Sequence, residues 1–272
     1  NPDGLVTRSR EWDFVDWVPG WERGIPPVPD GKPLTVYNLY LAYGLKCASY
    51  IAEKCGRAAL ASEYNERYKS LCGIINEKLY VPEKGMYHDG NGTYSMHTII
   101  WAILSGLVSG DAASEMARKI NDKTISKSSY SMNYFLFRAL EQCGAYDTAP
   151  EYFDGWKKMI DLHCTTWCEN PDSPRSECHA WSCAPLYEFS SGMLGVKYSF
   201  EDEIIIEPHS FGASNAIGTV PTRFGNVNVN INRTADGKTF KITIKSPADI
   251  KKRLKMPDGR IIIFDDAEKI LC

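Results

Sequence analysis

No run in this sequence is long and apolar enough to cross a bilayer as a helix. Its aliphatic runs, such as Ile204-Ile205-Ile206 and Ile261-Ile262-Ile263, fall far short of the roughly 20 residues a span needs. Basic excess is also absent: 31 Lys and Arg stand against 34 Asp and Glu, a net charge of -3. Neither nucleic acid nor an anionic membrane is therefore expected as a partner. The sequence lacks a Gly-rich phosphate loop, a fixed-period repeat and any low-complexity tract. It opens Asn1-Pro2-Asp3-Gly4 with no Met, basic n-region or apolar h-region, so no targeting signal is read there, and a cut from a longer polypeptide is expected.

Cysteine is present, but the paired C-x2-C knuckles of structural zinc sites are not. Cys164, Cys168, Cys178 and Cys183 are spaced C-x3-C, C-x9-C and C-x4-C, which argues against a preformed cage. No metal and no cofactor are expected. The total of nine cysteines is odd, and Cys47, Cys55, Cys72 and Cys143 fall in or just after helix-periodic stretches, where a free thiol behaves as a small hydrophobe. That usage favours a reducing, cytoplasmic compartment.

What the sequence does have is one dense window, Leu162 to Pro185. It gathers His163, Glu169, Asp172, Arg175, Glu177 and His179 around Trp167 and Trp181, in a stretch broken by Asn170-Pro171 and Pro174. Ionisable groups among aromatics on a loop between helices suit a carbohydrate or small-ligand site. A turn-rich, solvated connector would have the same composition, and both readings are open at this point.

The rest of the chain falls into two regimes. Upstream, E-W-D-F-V-D-W-V-P-G-W from Glu11 to Trp21 is an aromatic and acidic loop. Helical periodicity follows at 35–55, 58–79, 95–109, 111–120, 130–142, 148–162 and 180–194, about seven helices with short or Gly-rich connectors, among them a loop at Pro82 to Gly92. After Gly195 the period changes to two. Val227 to Ile231 alternates as V-N-V-N-I and Thr239 to Ile244 as T-F-K-I-T-I, with Asp236-Gly237 between them as a hairpin turn. The fold class expected is thus α+β in sequence order: an α-helical domain over 1–196, then a small antiparallel β-sandwich over 197–272.

Glycoside hydrolysis needs two carboxyl groups, one to donate a proton and one to activate water or attack the sugar. Glu169 is the first candidate because Trp167, two residues earlier, can serve as a sugar platform and partly desolvate it. A surface or helix-end glutamate is the competing reading. Glu177 could equally belong to the capping region of the next helix. His179 can bond a sugar hydroxyl through either nitrogen or sit as a structural histidine. Asp13 and Asp16, beside Trp12 and Trp17, could bind hydroxyls or supply a second carboxylate. Trp181 and Arg175 complete the candidate set.

These residues resemble a known family. T-T-W-C-E at 165–169, S-E-C-H-A-W-S at 176–182, E-F-x-x-G-M-L-G-V at 188–196 and T-V-P-T-R-F-G at 219–225 are similar to the C-terminal half of bacterial α-L-rhamnosidases of glycoside hydrolase family 78. D-F-V-D-W at 13–17 resembles that family's acidic-Trp segment, and S-K-S-S-Y-S-M-N-Y-F-L-F-R-A-L at 126–140 the helix before its catalytic loop. The resemblance covers most of the chain in the right order. It implies an (α/α)6 toroid followed by an antiparallel β domain, and hydrolysis of terminal α-L-rhamnosides with inversion. It also implies Glu169 as general base, His179 as a sugar-binding histidine, and Trp17, with Trp12 beside it, lining the sugar subsite. Asp13 and Asp16 receive no role from it.

The family's acid motif, of the type P-x-R-E-x-x-G-W, does not occur here, and Trp21-Glu22-Arg23-Gly24 is similar only superficially. With fewer helices than a closed toroid holds, the chain is expected to be a partial catalytic domain whose general acid lies elsewhere. An apolar flank left open would invite self-association. The stretch between Glu169 and His179 is shorter than the family's usual one, which bears on the aglycone side of the pocket. Two other functions fit parts of the sequence: a polysaccharide lyase on a helical toroid, for which Arg175 is the one cation in the cluster, and a non-catalytic carbohydrate-binding protein using its tryptophans as platforms.

Overall fold

The computed structural model describes residues 1–9, 11–172, 176–234, 240–256 and 258–271. The chain divides into two compact units, Asn1–Tyr146 and Asp147–Cys272. Among the described residues no helix is long and apolar enough to cross a membrane.

The first unit is built on α3 (Met96–Ser105), all ten residues of which are buried. M-H-T-I-I-W-A-I-L-S carries no long charged side chain, so the helix can be enclosed on every side. α1 (Thr35–Lys54), α4 (Gly110–Arg118) and α5 (Asn133–Gln142) pack against it. α1 also forms a hairpin with α2 (Ala58–Leu79). α3 stops where Gly106 turns left-handed, at φ 83, and its amide returns to the Ile103 carbonyl, an ending that favours glycine.

One expected loop holds more order than its composition suggests. Tyr80–Val81 (β1) and Met86–Tyr87 (β2) pair as an antiparallel ribbon, closed by Gly85, whose amide bonds the Val81 carbonyl at 2.8 Å. Two-residue strands are too short to show a period, so only their turn was visible in the sequence.

The second unit starts with helix and ends in strands. α6 (Asp154–Asp161) occupies only the second half of the stretch expected to be helical, because 3-10 turns surround Pro150, whose ring removes an amide donor and crowds the preceding turn. The expected helix 180–194 is likewise divided into a 3-10 turn at Ala180–Ser182, α7 (Ala184–Tyr187) and a π-helical segment Glu188–Met193. Pro185 sits in the first turn of α7, where a missing N–H costs nothing.

Among the described residues eight strands follow: β3 (Val196–Lys197), β4 (Glu203–Ile206), β5 (Asn215–Thr222), β6 (Gly225–Arg233), β7 (Phe240–Lys245), β8 (Lys251–Lys255), β9 (Ile261–Phe264) and β10 (Glu268–Leu271). They form two four-stranded sheets, ordered β10-β7-β6-β5 and β3-β4-β8-β9. The V-N-V-N-I alternation sends Val227, Val229 and Ile231 into the core with Ile242 and Ile244, joined by Ile204, Ile206 and Leu254 of the other sheet. β6 and β7 pair antiparallel from Asn228↔Lys245 to Arg233↔Phe240; the Asp236-Gly237 turn lies outside the described residues. Among the described residues these strands pair antiparallel except β4 with β8. Between those two strands the chain completes β5, β6 and β7 in the other sheet, and it returns in the direction in which it left. β5 contains Pro221 and is an edge strand, the position a proline tolerates.

Candidate active site

In the second unit the dense window is a loop tied at several points. His163 turns the chain out of α6 with a left-handed φ of 57, and the Cys164 amide bonds back to the Met159 carbonyl at 3.0 Å. The two arms then meet. The Trp167 carbonyl accepts the His179 amide at 2.7 Å, and the Glu169 amide donates to the Ser176 carbonyl at 2.8 Å. Glu169 and His179 therefore leave from one short backbone ladder, and both are half-buried.

Further contacts hold the arm that carries Glu169 and the base of the loop. Asn170 accepts the Asp172 amide at 2.9 Å, a side-chain turn that suits Asn, and Asp172 pairs with Lys158 of α6. Cys168 is fully buried between Trp167 and Glu169; burial first, and the neighbouring Cys164 next, push its thiol up. The Trp156 indole donates to the Ser182 carbonyl at 2.7 Å. Trp181 is 69% exposed and meets His179 edge-on at 5.8 Å, so its face is open to a ligand. Trp167 is half-buried, Asp172 and Glu177 are exposed, and Arg175 lies outside the described residues.

In the first unit the acidic-Trp loop separates its residues sharply. Trp12 and Trp17 are 55% and 47% exposed and gather with Phe14, their ring centroids 5.1 to 6.4 Å apart. Asp13 and Asp16 are buried. Asp13 accepts the Ser9 amide at 2.7 Å and its hydroxyl at 2.9 Å. Asp16 accepts His97 Nε2 at 2.8 Å, the Ser129 amide at 2.8 Å and the Ser129 hydroxyl at 2.5 Å. Burial alone would raise the Asp16 pKa, but the bond and charge of His97 and the two Ser129 donors outweigh it, and the carboxyl is held below its ordinary range. The nearby Tyr40 phenol is pushed well up, by burial first and then by the Asp16 charge.

His97 and Ser129 were not candidates from the sequence. A lone histidine in M-H-T-I-I-W looks like part of an apolar helix face, and nothing local links it to an aspartate 81 residues away. Among the described residues no three His, Cys, Asp or Glu side chains are grouped to hold a metal ion, and the described cysteines are free thiols.

A loop carrying a half-buried glutamate and a histidine between two tryptophans suits sugar chemistry, and comparison with known proteins gives it a family. Residues 1–191 match the model of the bacterial alpha-L-rhamnosidase 6 hairpin glycosidase domain. The chain belongs to the bacterial α-L-rhamnosidase family. The solved glycoside hydrolase family 78 rhamnosidase of Bacillus sp. GL1 is similar over 95% of this chain, with 26% identity and a TM-score of 0.82. A Klebsiella oxytoca rhamnosidase, solved with rhamnose bound, is similar over 70%, with 26% identity and a TM-score of 0.60. The α-L-rhamnosidase of Aspergillus terreus shares the fold over the whole chain at 17% identity and a TM-score of 0.81. This rhamnosidase-family chain spans 29% of the Bacillus protein, 38% of the Klebsiella one and 34% of the Aspergillus one. A sequence comparison with curated proteins returns no match.

Proposed function

We propose that this chain carries the water-activating part of a glycoside hydrolase that cleaves terminal α-L-rhamnosides with inversion, and that Glu169 is its general base. The observation that carries this reading is the backbone ladder holding Trp167, Glu169 and His179 together at 2.7 and 2.8 Å, inside the segment that matches the family. A base must keep one orientation towards the water it deprotonates, and the backbone ties along this loop support that reading.

The Glu169 carboxylate takes a proton from water as the oxygen attacks the anomeric carbon from the face opposite the leaving group. An acid outside this chain protonates the departing oxygen, with the two carboxyls about 6.5–9.5 Å apart so that the water fits between them. His179 bonds a sugar hydroxyl, with Trp167 and the exposed Trp181 as stacking faces; in the first unit the exposed rings of Trp12 and Trp17 are offered as an aromatic face for sugar. Asp13 and Asp16 hold the loop that bears Trp12 and Trp17. Residues 1–196 are read as part of the catalytic helical domain and 197–272 as its β-sandwich companion, a division supported by the change from helix to strand at Val196.

The test is Glu169→Gln in the complete enzyme with an aryl α-L-rhamnoside, following the anomer released by NMR. The expected result is an inverted product from the parent enzyme and a loss of about 10²–10⁴-fold in kcat for the variant, with sugar binding retained. Turnover that survives the substitution, or a product of retained configuration, would overturn this assignment.

A further inference from the structure

We infer that Asp16 is a positioning residue: fixed by His97 and Ser129, it sets the backbone of Trp17 and so the aromatic face offered to the sugar. The sugar-facing role of Trp17 rests on the rhamnoside reading above; the ordering of its loop by Asp16 does not.

The argument begins with burial. Asp16 is 1% exposed while Trp17, the next residue, is 47% exposed. The chain thus passes from a closed interior to an open aromatic face within one peptide bond. The Asp16 carboxylate accepts four hydrogen bonds. Three come from His97 and Ser129, 81 and 113 residues distant, and the fourth, at 2.9 Å, from the amide of Trp17 itself. One side chain therefore ties the N-terminal loop to α3 and to the segment ahead of α5, and its last acceptor position fixes the peptide from which the Trp17 ring projects.

An apolar anchor would give burial without direction. A carboxylate surrounded by donors is held in one orientation, because turning it would leave a buried donor unpaired. Other contacts hold the flanks. The Gly24 carbonyl accepts the Val15 and Asp16 amides at 2.9 and 3.1 Å, and the Tyr37 hydroxyl donates to the Phe14 carbonyl at 3.0 Å. The Trp12 indole donates to the Arg23 carbonyl at 2.9 Å. Gly24 itself must remain glycine, since its φ is 73 and a Cβ there would lie 2.6 Å from the Phe14 ring. The loop is braced on both sides, and the Asp16 cluster is the part of the brace that reaches Trp17.

Three variants of the complete enzyme test this: His97→Leu, which removes the Nε2 donor; His97→Gln, which restores an N–H at that point; and Ser129→Ala, which removes one hydroxyl and leaves the backbone donor. His97→Leu and Ser129→Ala are expected to raise KM for an aryl α-L-rhamnoside by about tenfold each, the worth of one hydrogen bond to a charged group, with kcat nearly unchanged. Amide exchange over residues 12–18 should quicken in both, and His97→Gln should lie close to the parent. Should His97→Leu fail to fold, Ser129→Ala carries the test, since it leaves His97 packed on the Trp21 ring. Parent-like KM and parent-like exchange in Ser129→Ala would overturn the inference, as would equal losses in all three variants without rescue by glutamine. If the parent neither binds nor cleaves rhamnosides, the rhamnoside reading fails alone. The exchange measurement then decides the positioning role, and unchanged exchange in Ser129→Ala overturns it.

Discussion

Asp16 and Asp89 are both buried in the first unit, and they titrate in opposite directions. Burial raises the pKa of each. At Asp16 an imidazole, an amide and a hydroxyl more than offset it, whereas at Asp89 the hydroxyls of Thr93 and Ser95, at 3.0 and 2.6 Å, do not, and its carboxyl stays above the ordinary range. The signs of their contributions to stability follow. Asp16, depressed in the fold, contributes stability that is fully present above the unfolded value of about 3.9 and is lost as pH falls through its lower folded value. Asp89, raised in the fold, costs stability while it is charged, and that cost is relieved as pH falls through its folded value. An Asp16→Asn variant should therefore be less stable than the parent at neutral pH, with a gap that narrows as pH falls below about 3.9. Urea midpoints of the two proteins at pH 7 and pH 3 check this; a gap of constant size would show that the Asp16 charge contributes nothing to folding.

The link from the π-helical segment to β3 turns on Gly195, at φ 78. Its carbonyl accepts the Glu207 amide at 2.8 Å, and a Cβ placed on it would lie 2.3 Å from the Pro208 nitrogen and 2.4 Å from the Glu207 carbonyl carbon. Gly212 has nearly the same φ, 76, with nothing within 4 Å. Gly212→Ala should cost about 1–2 kcal/mol, the left-handed strain alone, and Gly195→Ala a further 1–3 kcal/mol or so, because the overlapped atoms are backbone and cannot rotate away. Denaturation midpoints of the two variants separate strain from overlap; equal losses would mean that β3 and the Glu207 turn yield without cost. The same elements show what the sequence could reveal. α1 and α2 are legible almost to the residue, since Gly56 falls between two long apolar stripes. The helical stripe at 148–162 overran because Pro150 removes a backbone donor, and the stripe at 180–194 divides into a 3-10 turn, α7 and a π-helical segment, which a side-chain pattern does not separate. β5 is not legible in the sequence because N-A-I-G-T-V-P-T mixes Gly and Pro into a strand that an edge position permits. Glu169 and His179 stood out by local density, but their tie through the Trp167 and Ser176 carbonyls is a backbone fact, and the Asp16 partnership spans 81 and 113 residues.

At the scale of the whole molecule, the two cores differ in how the chain supplies them. The first unit surrounds one enclosed helix, α3, with its sequence neighbours. Among the described residues the sandwich core draws on those from Met193 to Leu271, and its sheets are assembled from strands far apart in sequence, β4 with β8 and β7 with β10. Cooperative units of folding follow contiguous cores, so the sandwich should open as one unit while the α1, α2 and α3 packing persists. Ile244 is the place to test this, because it is fully buried and faces Val229 across the β6–β7 ladder. Ile244→Ala should destabilise the sandwich by about 2–5 kcal/mol, lost burial plus the cavity left behind. Native-state hydrogen exchange should then show protection falling together in β5, β6, β7 and β8 and holding in α1 and α3. Equal loss of protection in the helices would mean that the chain unfolds as a single cooperative body and that the sandwich is not a domain in the thermodynamic sense.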